Sequence, residues 1–558
     1  MPRSFLGSSW TRITAAVGLA ALLLGGCANA GTSGGSSGGG KSTTLTVNNN
    51  EGEPLTDNFN PLVPTSTLDV FGSWSMIYEP LVQYDPQRPG VTYPWLATSW
   101  SWSNGNKTLT FNLRNGVTWS DGQPFTSADV VYTFDLMKRV PAVNVFGLQF
   151  ANIVANSKSQ VTMTFAQSAT TDFYYIAETT PIIPQHIWSH VSNPTTYTNT
   201  NPIGTGPYVL KHFTPQDFLL TKNAHYWQHG LPKITNLDYV AGTATALTNM
   251  TNNETLDWSS GGAPGAQKWQ ESNPVNHYWF PGAGVVSLEP NLSRWPLNDV
   301  AVRKAISFAI NRTVVGVRGE FGYETPVTSA TGMLPSQQNY VAPQYSAAKL
   351  TYDPTAARSV LTKAGYTLGP GGIFEKGGKK LAITIEDPSG FVDYMTDCQL
   401  IDSELKQVGI AVTCDGVSTN AWGSDVASGN FQSTIRWSDY GNGDPYYLYN
   451  GWLNSTLYGP KGGNASDNFE RWSSPATQQA LNTYVSTTSS ADRSAALATL
   501  EGVLVNQVPV IPLFDAADWG TYLTKNATGW ASPQNPYADD SPGASYAEVV
   551  ALHLRPVG

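Results

Sequence analysis

Three cysteines carry the chemistry that the sequence defines most directly, and the first of them, Cys27, ends a pattern typical of an export signal. Two basic residues, Arg3 and Arg12, precede an apolar stretch at 13–24, and small residues lead into the cysteine. This stretch is shorter than the roughly 20 residues that a helix needs to cross a bilayer. The pattern predicts a removable signal peptide over 1–26, after which the thiol of Cys27 carries lipid. The alternative is an uncleaved anchor with an incidental cysteine.

The other two cysteines, Cys398 and Cys414, are expected to pair. An exported chain meets an oxidising compartment, where two remaining thiols tend to form a disulfide. Residues 392–408 are predicted as a helix, Gly409 ends it, and 410–414 is predicted as a strand that returns alongside, so the local pattern permits the bond. The alternative is two separate buried thiols. A catalytic cysteine is not expected, because no histidine stands in a matching local context.

Two histidine pairs have the i, i+4 spacing that can hold a metal on one helical face, namely His186 with His190 and His225 with His229. Neither pair encloses the glutamate of a zinc protease, so no metal is predicted. Residues 35–42 match the phosphate-binding pattern G-x-x-x-x-G-K-[ST], but that loop needs a buried strand before it and a helix after it. Here a Gly/Ser tract precedes the match and a Thr-rich strand follows it. We therefore expect no cofactor, and no catalytic constellation identifies an enzyme.

The charge balance disfavours several classes of partner. The chain has 31 Lys and Arg against 41 Asp and Glu, a net charge of −10, which becomes −12 when the two arginines of the signal are removed. Such a surface does not attract nucleic acid or anionic lipid. The 18 Trp and 26 Tyr provide rigid apolar area with a polar atom, which suits surfaces that face a ligand. No second apolar span follows the signal, so membrane contact is expected through the lipid only.

The elements that would position these residues alternate between strands and helices. Residues 107–114 alternate strictly, as a half-buried strand does. A helix over 130–138 has a side-chain cap available at Thr126 or Ser127, and Asp299 can cap the apolar helix that follows it. A later helix at 491–507 is followed by an apolar strand. The chain is therefore predicted to be mixed α/β, and its length requires more than one domain.

Several separated blocks resemble the family 5 extracellular solute-binding proteins of ABC importers, the oligopeptide- and dipeptide-binding group. The order and spacing of the blocks run along nearly the whole mature chain. The blocks that carry the resemblance are Trp95–Trp100, Leu109–Val131, Ile182–Trp188, Pro202–Tyr208 with Asn223–Trp227, Asp299–Arg312 and Tyr352–Tyr366.

The resemblance implies a two-lobed clamshell of the periplasmic-binding-protein type, in its type II, three-domain, peptide-binding subtype, with a two-strand hinge near 285–288 and 509–513. The expected parts are a signal peptide at 1–26, a lipidated cysteine and Gly/Ser linker at 27–42, a lobe I core from 43–84, 204–282 and 514–558, an accessory domain at 85–203, and lobe II at 283–513.

The family's ligand-contacting segment matches residues 436–445. In peptide-binding relatives an Asp of the far lobe pairs with the ligand's α-ammonium, and Asp439 followed by Tyr440 resembles that Asp-Tyr pair. Relatives place the Asp four residues before a Pro, whereas Asp439 lies six before it, so either two residues are inserted or this partner is lost. Asp439 could instead bond local backbone in a turn.

Aromatic and basic residues of the same region extend this expectation. Trp437 and Trp422 fall where relatives place the aromatic walls of the pocket, although core packing is the alternative for both. Arg436 could face a carboxylate, but a surface position is the expectation. Asp444 is expected to form a turn before its proline.

The resemblance implies a binding protein that captures di- or oligopeptides and delivers them to an ABC permease with its ATPase subunits. It would be a monomer, anchored by lipid on the extracytoplasmic face of the cell membrane. An oligosaccharide ligand is the same-class alternative, favoured by the aromatic content and by the displaced Asp439. A secreted hydrolase and a purely structural lipoprotein are more distant alternatives.

Overall fold

The computed structural model describes residues 43–49, 55–88, 90–260, 265–439, 443–458, 465–543 and 546–557. The predicted signal peptide, Cys27, the linker with its phosphate-loop pattern, and Tyr440 lie outside these residues. Residues from 42 onward form one compact unit.

Two sheets dominate the structure, and each contains strands from distant parts of the chain. The seven-stranded sheet has the spatial order Asn276–Trp279, Gly520–Leu523, Trp258–Ser259, Thr44–Asn48, Asn236–Val240, Asp217–Lys222 and Tyr208–Phe213. The six-stranded sheet has the order Thr325–Pro326, Ile511–Ala517, Gly282–Pro290, Ser433–Asp439, Ala382–Pro388 and Ala411–Val417.

A third sheet of four antiparallel strands lies within the predicted accessory domain, in the order Ala97–Ser103, Thr108–Leu113, Gln160–Thr164 and Asn152–Ser157. The smaller sheets pair Val82–Tyr84 with Thr92–Pro94, join Thr367–Leu368, Phe374–Lys376 and Lys379–Lys380, and pair Ala527–Thr528 with Arg555–Pro556.

The α-helices are Thr67–Val70, Trp74–Ile77, Ser127–Arg139, Phe173–Ala177, Gln185–Trp188, Ala244–Asn252, Ala266–Ser272, Val300–Ala309, Arg312–Arg318, Pro354–Lys363, Val392–Gln407, Thr419–Ser428, Pro445–Leu453, Pro475–Ser486, Ser490–Gln507 and Ala547–His553. Short 3₁₀ helices occupy Pro141–Val143, Thr170–Asp172, Pro335–Tyr340 and Pro343–Tyr345. None of the described helices is both long and apolar enough to cross a bilayer.

Local signals in the sequence explain several helix ends. Helix Ser127–Arg139 begins with a capping box, in which the Asp129 carboxylate accepts from the Thr126 backbone N–H at 2.8 Å. Asp299 caps the helix that begins at Val300 by accepting from the Ala301 N–H at 2.9 Å. Each of these bonds satisfies a backbone donor that a helix N-terminus leaves unpaired.

Buried apolar residues separate into two bodies. One core draws its residues from 45–258 and 522–554, and it includes the four-stranded sheet. Two adjoining cores draw theirs from 285–516. We call the first body lobe I and the second lobe II. Because buried apolar area is the main stabilising term in folding, each lobe has its own source of stability.

The chain passes between the lobes at two neighbouring places, residues 280–281 and 518–519. Strands Asn276–Trp279 and Gly520–Leu523 pair in the seven-stranded sheet, and their continuations Gly282–Pro290 and Ile511–Ala517 pair in the six-stranded sheet. At the crossing itself the Asp518 N–H donates to the Pro281 carbonyl at 2.7 Å. Residues 514–517, expected in lobe I, belong to the sheet of lobe II.

The lobes also touch on a rim contributed by 170–175 of lobe I. The Tyr447 hydroxyl of lobe II donates to the Thr171 carbonyl at 2.5 Å, and its ring meets those of Tyr174 and Tyr175 edge-on. The Arg493 guanidinium donates to the Thr170 hydroxyl at 2.8 Å. These contacts hold the lobes together in the structure, which we describe as closed.

Candidate functional site

A cavity of about 470 Å³ lies between the two lobes. Lobe I and the crossing contribute Asn49, Tyr84, Asp85, Pro86, Tyr174, Glu178, Ser260, Asp518, Trp519, Asp539, Ser541, Gly543 and Tyr546, and lobe II contributes Ala283, Val286, Glu324, Asp393, Tyr394, Trp437 and Ala517. A cavity of this size, built from two bodies joined by a double crossing, suits a small ligand that is enclosed when the bodies meet.

Carboxylates dominate the polar lining. Six of them line the cavity, and no described lining residue is Lys, Arg or His. The six are Asp85, Glu178, Asp518 and Asp539 on the lobe I side, and Glu324 and Asp393 on the lobe II side.

Three of the lobe I carboxylates, Asp539, Asp518 and Asp85, accept hydrogen bonds from neighbouring side chains, and Glu178 accepts from the Tyr84 backbone N–H at 2.9 Å. Asp539 is buried and accepts from the Gln87 amide, and Asp518 accepts from the Tyr546 hydroxyl. Burial raises the pKa of Asp518 to about 6. It also raises the pKa of Asp539 well above its usual value, with a further contribution from the Asp518 charge. Asp85 pairs with a charged residue, Arg88, whose Nε donates to it at 2.7 Å.

On the lobe II side, Glu324 is 7% exposed. Its Oε1 accepts from the Ala517 N–H at 2.9 Å, and its Oε2 has no hydrogen-bond partner among the described residues. Burial raises the pKa of Glu324 well above its usual value, and the Glu320 charge adds to this effect. Burial likewise raises the pKa of Asp393.

Three further carboxyls interact electrostatically with Glu324, namely Asp397, Glu320 and Asp515. Burial and the Glu320 charge raise the pKa of Asp397 to about 11, and burial raises that of Glu320 to about 7. Asp515, on the strand before the crossing, has its pKa raised by burial to about 7, and its Oδ1 has no hydrogen-bond partner among the described residues. These raised pKa values mean that burial and neighbouring acids disfavour the ionised form of these carboxyls, because opposite charge does not compensate it.

Aromatic rings complete the lining, namely Tyr84, Tyr174, Tyr394, Trp437, Trp519 and Tyr546. Trp437 is 44% exposed, an unusual exposure for an indole in a central strand. Its ring lies over Gly284 of the neighbouring strand, where an added Cβ would stand 2.7 Å from the indole nitrogen. The absence of a side chain at Gly284 therefore creates the space that the indole occupies.

The site residues predicted from the sequence do not all lie at the main cavity. Trp437 lines the main cavity and also a smaller one of about 250 Å³. Asp439 is the last residue of its strand and pairs with Gly284, and Tyr440 lies outside the described residues. Trp422 does not line the main cavity, and its indole N–H donates to the Thr434 hydroxyl at 2.8 Å.

The surface position expected for Arg436 is wrong, because its guanidinium faces a carboxylate of the protein itself. Its guanidinium pairs with the buried Glu289 at 3.1 Å and stacks on the Phe469 ring at 4.0 Å. Asp444 caps the helix that begins at Pro445, accepting from the Tyr446 N–H at 2.8 Å. The expected local role of Asp444 takes the form of a helix cap.

The histidine pairs do not form the arrangement that their spacing suggests. His186 lies 2.8 Å from the Asp121 carboxylate, while His225 and His229 lie outside any helix. Among the residues that the structure describes, no group of three or more His, Cys, Asp or Glu could hold a metal ion.

Cys398 and Cys414 form a disulfide in the structure, with their Cα atoms 5.9 Å apart. Cys398 lies on helix Val392–Gln407 and Cys414 on strand Ala411–Val417. The bond ties an outer strand of the lobe II sheet to the helix that packs on it.

The carboxylates of the cavity could not be found from the sequence. Glu324 and Asp539 are separated by more than 200 residues, and no local motif surrounds either of them. The only signal was the overall excess of acidic over basic residues, which does not show where the carboxylates lie in the structure.

Comparison with known proteins places the chain in a family. Residues 91–459 match the bacterial extracellular solute-binding proteins, family 5 Middle, over more than half of the chain. The chain belongs to the family 5 extracellular solute-binding proteins. The family resemblance read from the sequence is thereby confirmed, and this solute-binding protein is a component of an ABC importer rather than an enzyme.

Individual relatives differ in what they are named for. The nickel-binding periplasmic protein of Escherichia coli is 28% identical over 382 residues, covering 64% of this chain and 69% of that protein. The glutathione-binding protein GsiB of Salmonella choleraesuis is 25% identical over 467 residues, covering 80% and 85%.

A solved structure shows the fold. The periplasmic oligopeptide-binding protein of an oligopeptide ABC transporter from Thermotoga maritima, crystallised with mannohexaose, matches with a TM-score of 0.82 at 24% identity, covering 93% of this chain and 99% of that one. The predicted α/β fold of the periplasmic oligopeptide-binding type is confirmed.

Proposed function

We propose that this solute-binding protein captures a peptide between its lobes and delivers it to a membrane permease. The observation that carries the proposal is the cavity between the lobes, which carboxylates and aromatic rings line from both sides. A peptide offers an α-ammonium for a carboxylate and apolar side chains for the rings. Contacts with both lobes stabilise the closed state, because a ligand shifts a conformational equilibrium by its difference in affinity for the two states.

The residues proposed from the sequence as ligand contacts are supported to different extents. Trp437 is proposed as an aromatic wall, supported by its exposure at the cavity. Asp439 and Tyr440 remain proposals from the family resemblance, and so does Trp422, whose indole N–H is already bonded to Thr434. We propose Asp539 and Glu324 as the better-supported carboxylates.

An oligosaccharide is the second candidate. The six lining aromatic rings favour it, since rings of this kind stack on apolar faces of ligands. A neutral sugar would hydrogen bond to the carboxylates, but it would leave their charge uncompensated.

A thermal-shift and calorimetric screen of the purified protein against matched peptides and mannohexaose separates the two candidates. A peptide at 100 times its Kd should stabilise the fold by about 2.7 kcal/mol and bind with a stoichiometry of one. If mannohexaose stabilises the protein and none of the peptides does, the oligosaccharide candidate replaces the peptide.

We further propose that Cys27 carries lipid after removal of 1–26 and holds the protein at the extracytoplasmic face of the membrane, with 27–42 as a linker. The sequence pattern around Cys27 and the family of the chain support this. Expression with a labelled fatty acid should label the natural protein, and Cys27→Ser should lose the label. Retention of the label in the variant would refute the assignment.

We propose that the boundary of lobe II lies at the two crossings, so that lobe II spans 282–517, and the separation of its buried cores from that of lobe I supports this. The accessory domain at 85–203 remains a proposal from the family resemblance, because its buried residues share one core with the rest of lobe I. The monomeric state remains a proposal, to be measured by light scattering.

A further inference from the structure

We infer that the ligand of the cavity is an organic cation with a net positive charge and at least two cationic groups, alkylammonium or guanidinium, that reach carboxylates on both lobes. The inference rests on the proposed function and narrows the class of ligand. It starts from the charge balance of the cavity: six carboxylates line it, and no described lining residue carries a positive charge.

The carboxylates belong to opposite walls. Asp518 and Asp539 lie on the lobe I side and are close enough for the charge of one to disfavour the charge of the other. Glu324 and Asp393 lie on the lobe II side, where their electrostatic neighbours are again acidic, including Glu320. A ligand with a single ammonium would reach one wall and leave the other uncompensated.

Arg88 contacts one carboxylate of this set, Asp85, and is already paired with it. It lies outside the lining and pairs with Asp85 through two nitrogens, at 2.6 and 2.7 Å. The uncompensated charge therefore belongs to Asp518, Asp539, Glu324 and Asp393. It does not include Asp85, which pairs with Arg88, or Glu178, which accepts from the Tyr84 N–H.

Glu324 is an independent indication of a ligand. The residue is more than nine-tenths buried and lines the cavity, and its Oε2 lacks a hydrogen-bond partner among the described residues. A buried carboxylate oxygen without a donor costs stability, so such a group needs an explanation in a native protein. An ammonium or guanidinium in the cavity would supply both the donor and the opposite charge.

The rings of the lining suit the same chemistry. Trp437 and Tyr394 on lobe II and Tyr546 on lobe I provide π faces, which attract desolvated cations. A carboxylate of the ligand, by contrast, would find no cationic side chain in the described lining and would meet the charges of the cavity. A zwitterionic peptide would have to turn its carboxyl end away from these groups.

Calorimetry on the purified protein tests the inference with probes of equal length. We would measure Kd for Lys-Ala-Lys, Ala-Ala-Ala and Glu-Ala-Glu tripeptides, each as the C-terminal amide, together with 1,5-diaminopentane, mannohexaose and Ni²⁺. The lysine peptide should bind about tenfold or more tightly than the alanine peptide, and the glutamate peptide should bind more weakly than either.

The outcomes separate the inference from the proposed function. Equal or tighter binding of the alanine or glutamate peptide overturns the cationic class while leaving peptide capture intact. Binding of 1,5-diaminopentane without any peptide supports the cationic class and refutes peptide capture. Binding of mannohexaose or Ni²⁺ alone, or of no cationic probe, overturns the inference.

A variant of a lining residue tests whether the preference for the lysine peptide depends on the cavity. Glu324→Gln keeps an oxygen for the Ala517 N–H and removes the charge, so affinity for Lys-Ala-Lys should fall about tenfold while the melting temperature without ligand rises. Glu271→Gln, on the exposed surface away from the cavity, is the matched control and should change neither quantity.

Unchanged lysine-peptide affinity in a folded Glu324→Gln protein overturns the assignment of this carboxylate. Asp539→Asn is the second variant, on the opposite wall. The comparison of the probes on the natural protein tests the cationic class of ligand even if a variant does not fold.

Discussion

Replacing Asp515 with Asn should stabilise the ligand-free protein, and by more at high pH than at low pH. Asp515 lies on the lobe II strand just before the crossing, and its Oδ1 has no hydrogen-bond partner among the described residues. Burial raises its pKa from 3.8 to about 7. The folded state therefore holds a proton that the unfolded state releases between these pH values, and this contribution to stability falls as pH rises from about 4 to about 7.

The size of the effect follows from the two pKa values. One pKa unit corresponds to about 1.4 kcal/mol, so the ionised Asp515 costs at most about 4 kcal/mol at pH 8. At pH 5 the folded carboxyl is still protonated and the same linkage costs about 2 kcal/mol. The advantage of Asp515→Asn should thus grow by up to about 2 kcal/mol between pH 5 and pH 8. Relaxation of the site would reduce this, so we expect about 1–2 kcal/mol.

Urea unfolding of both proteins at pH 5 and pH 8, followed by tryptophan fluorescence, measures the difference. Asp415→Asn, on an exposed position of strand Ala411–Val417, is the control and should stay within about 0.5 kcal/mol of the natural protein at both pH values. A variant less stable than the natural protein at pH 8, or an advantage that does not change with pH, would refute the reasoning that Asp515 holds uncompensated charge.

Three further predictions concern single contacts. Trp437→Leu should weaken binding of Lys-Ala-Lys about tenfold in calorimetry without lowering the melting temperature, because it removes an exposed π face; an unchanged Kd would remove the indole from the site. Cys398→Ser should lower the free energy of unfolding by about 3 kcal/mol in urea, and a reducing agent should then lower it in the natural protein but not in the variant. Tyr447→Phe removes the donor to the Thr171 carbonyl, so the open population should rise about fivefold, seen as a larger radius of gyration in solution scattering; an unchanged radius would contradict a role of this bond in closure.

Features encoded by neighbouring residues could be predicted from the sequence. The capping box at Thr126 and Asp129, and the cap at Asp299, depend on contacts within three residues, which a reader of the sequence can count. The helix and strand that carry the disulfide are joined by a short segment, so their proximity also follows from local order.

The interior of the site could not be predicted in the same way. Glu324 and Asp539 line one cavity because the two lobes lie against each other, and no residue near either of them in the sequence indicates the other. In the sequence, nothing near Arg436 indicates that it is paired. Its partner, Glu289, lies on strand Gly282–Pro290, which only the pairing of strands in the sheet places beside it. Residues 514–517 continue a strand past the expected boundary, because the pairing with Gly282–Pro290 extends to the crossing.

The double passage of the chain at 280–281 and 518–519 has a mechanical consequence. Two adjacent strands that are bonded to each other at the crossing resist sliding and stretching, while they permit bending about the short line that joins them. A small rotation there moves the far edges, where Tyr447 meets Thr171, through the longest arc. The distance between the two far edges therefore differs most between the loaded and the empty carrier. A permease that contacts both of these edges at once can distinguish the two states best.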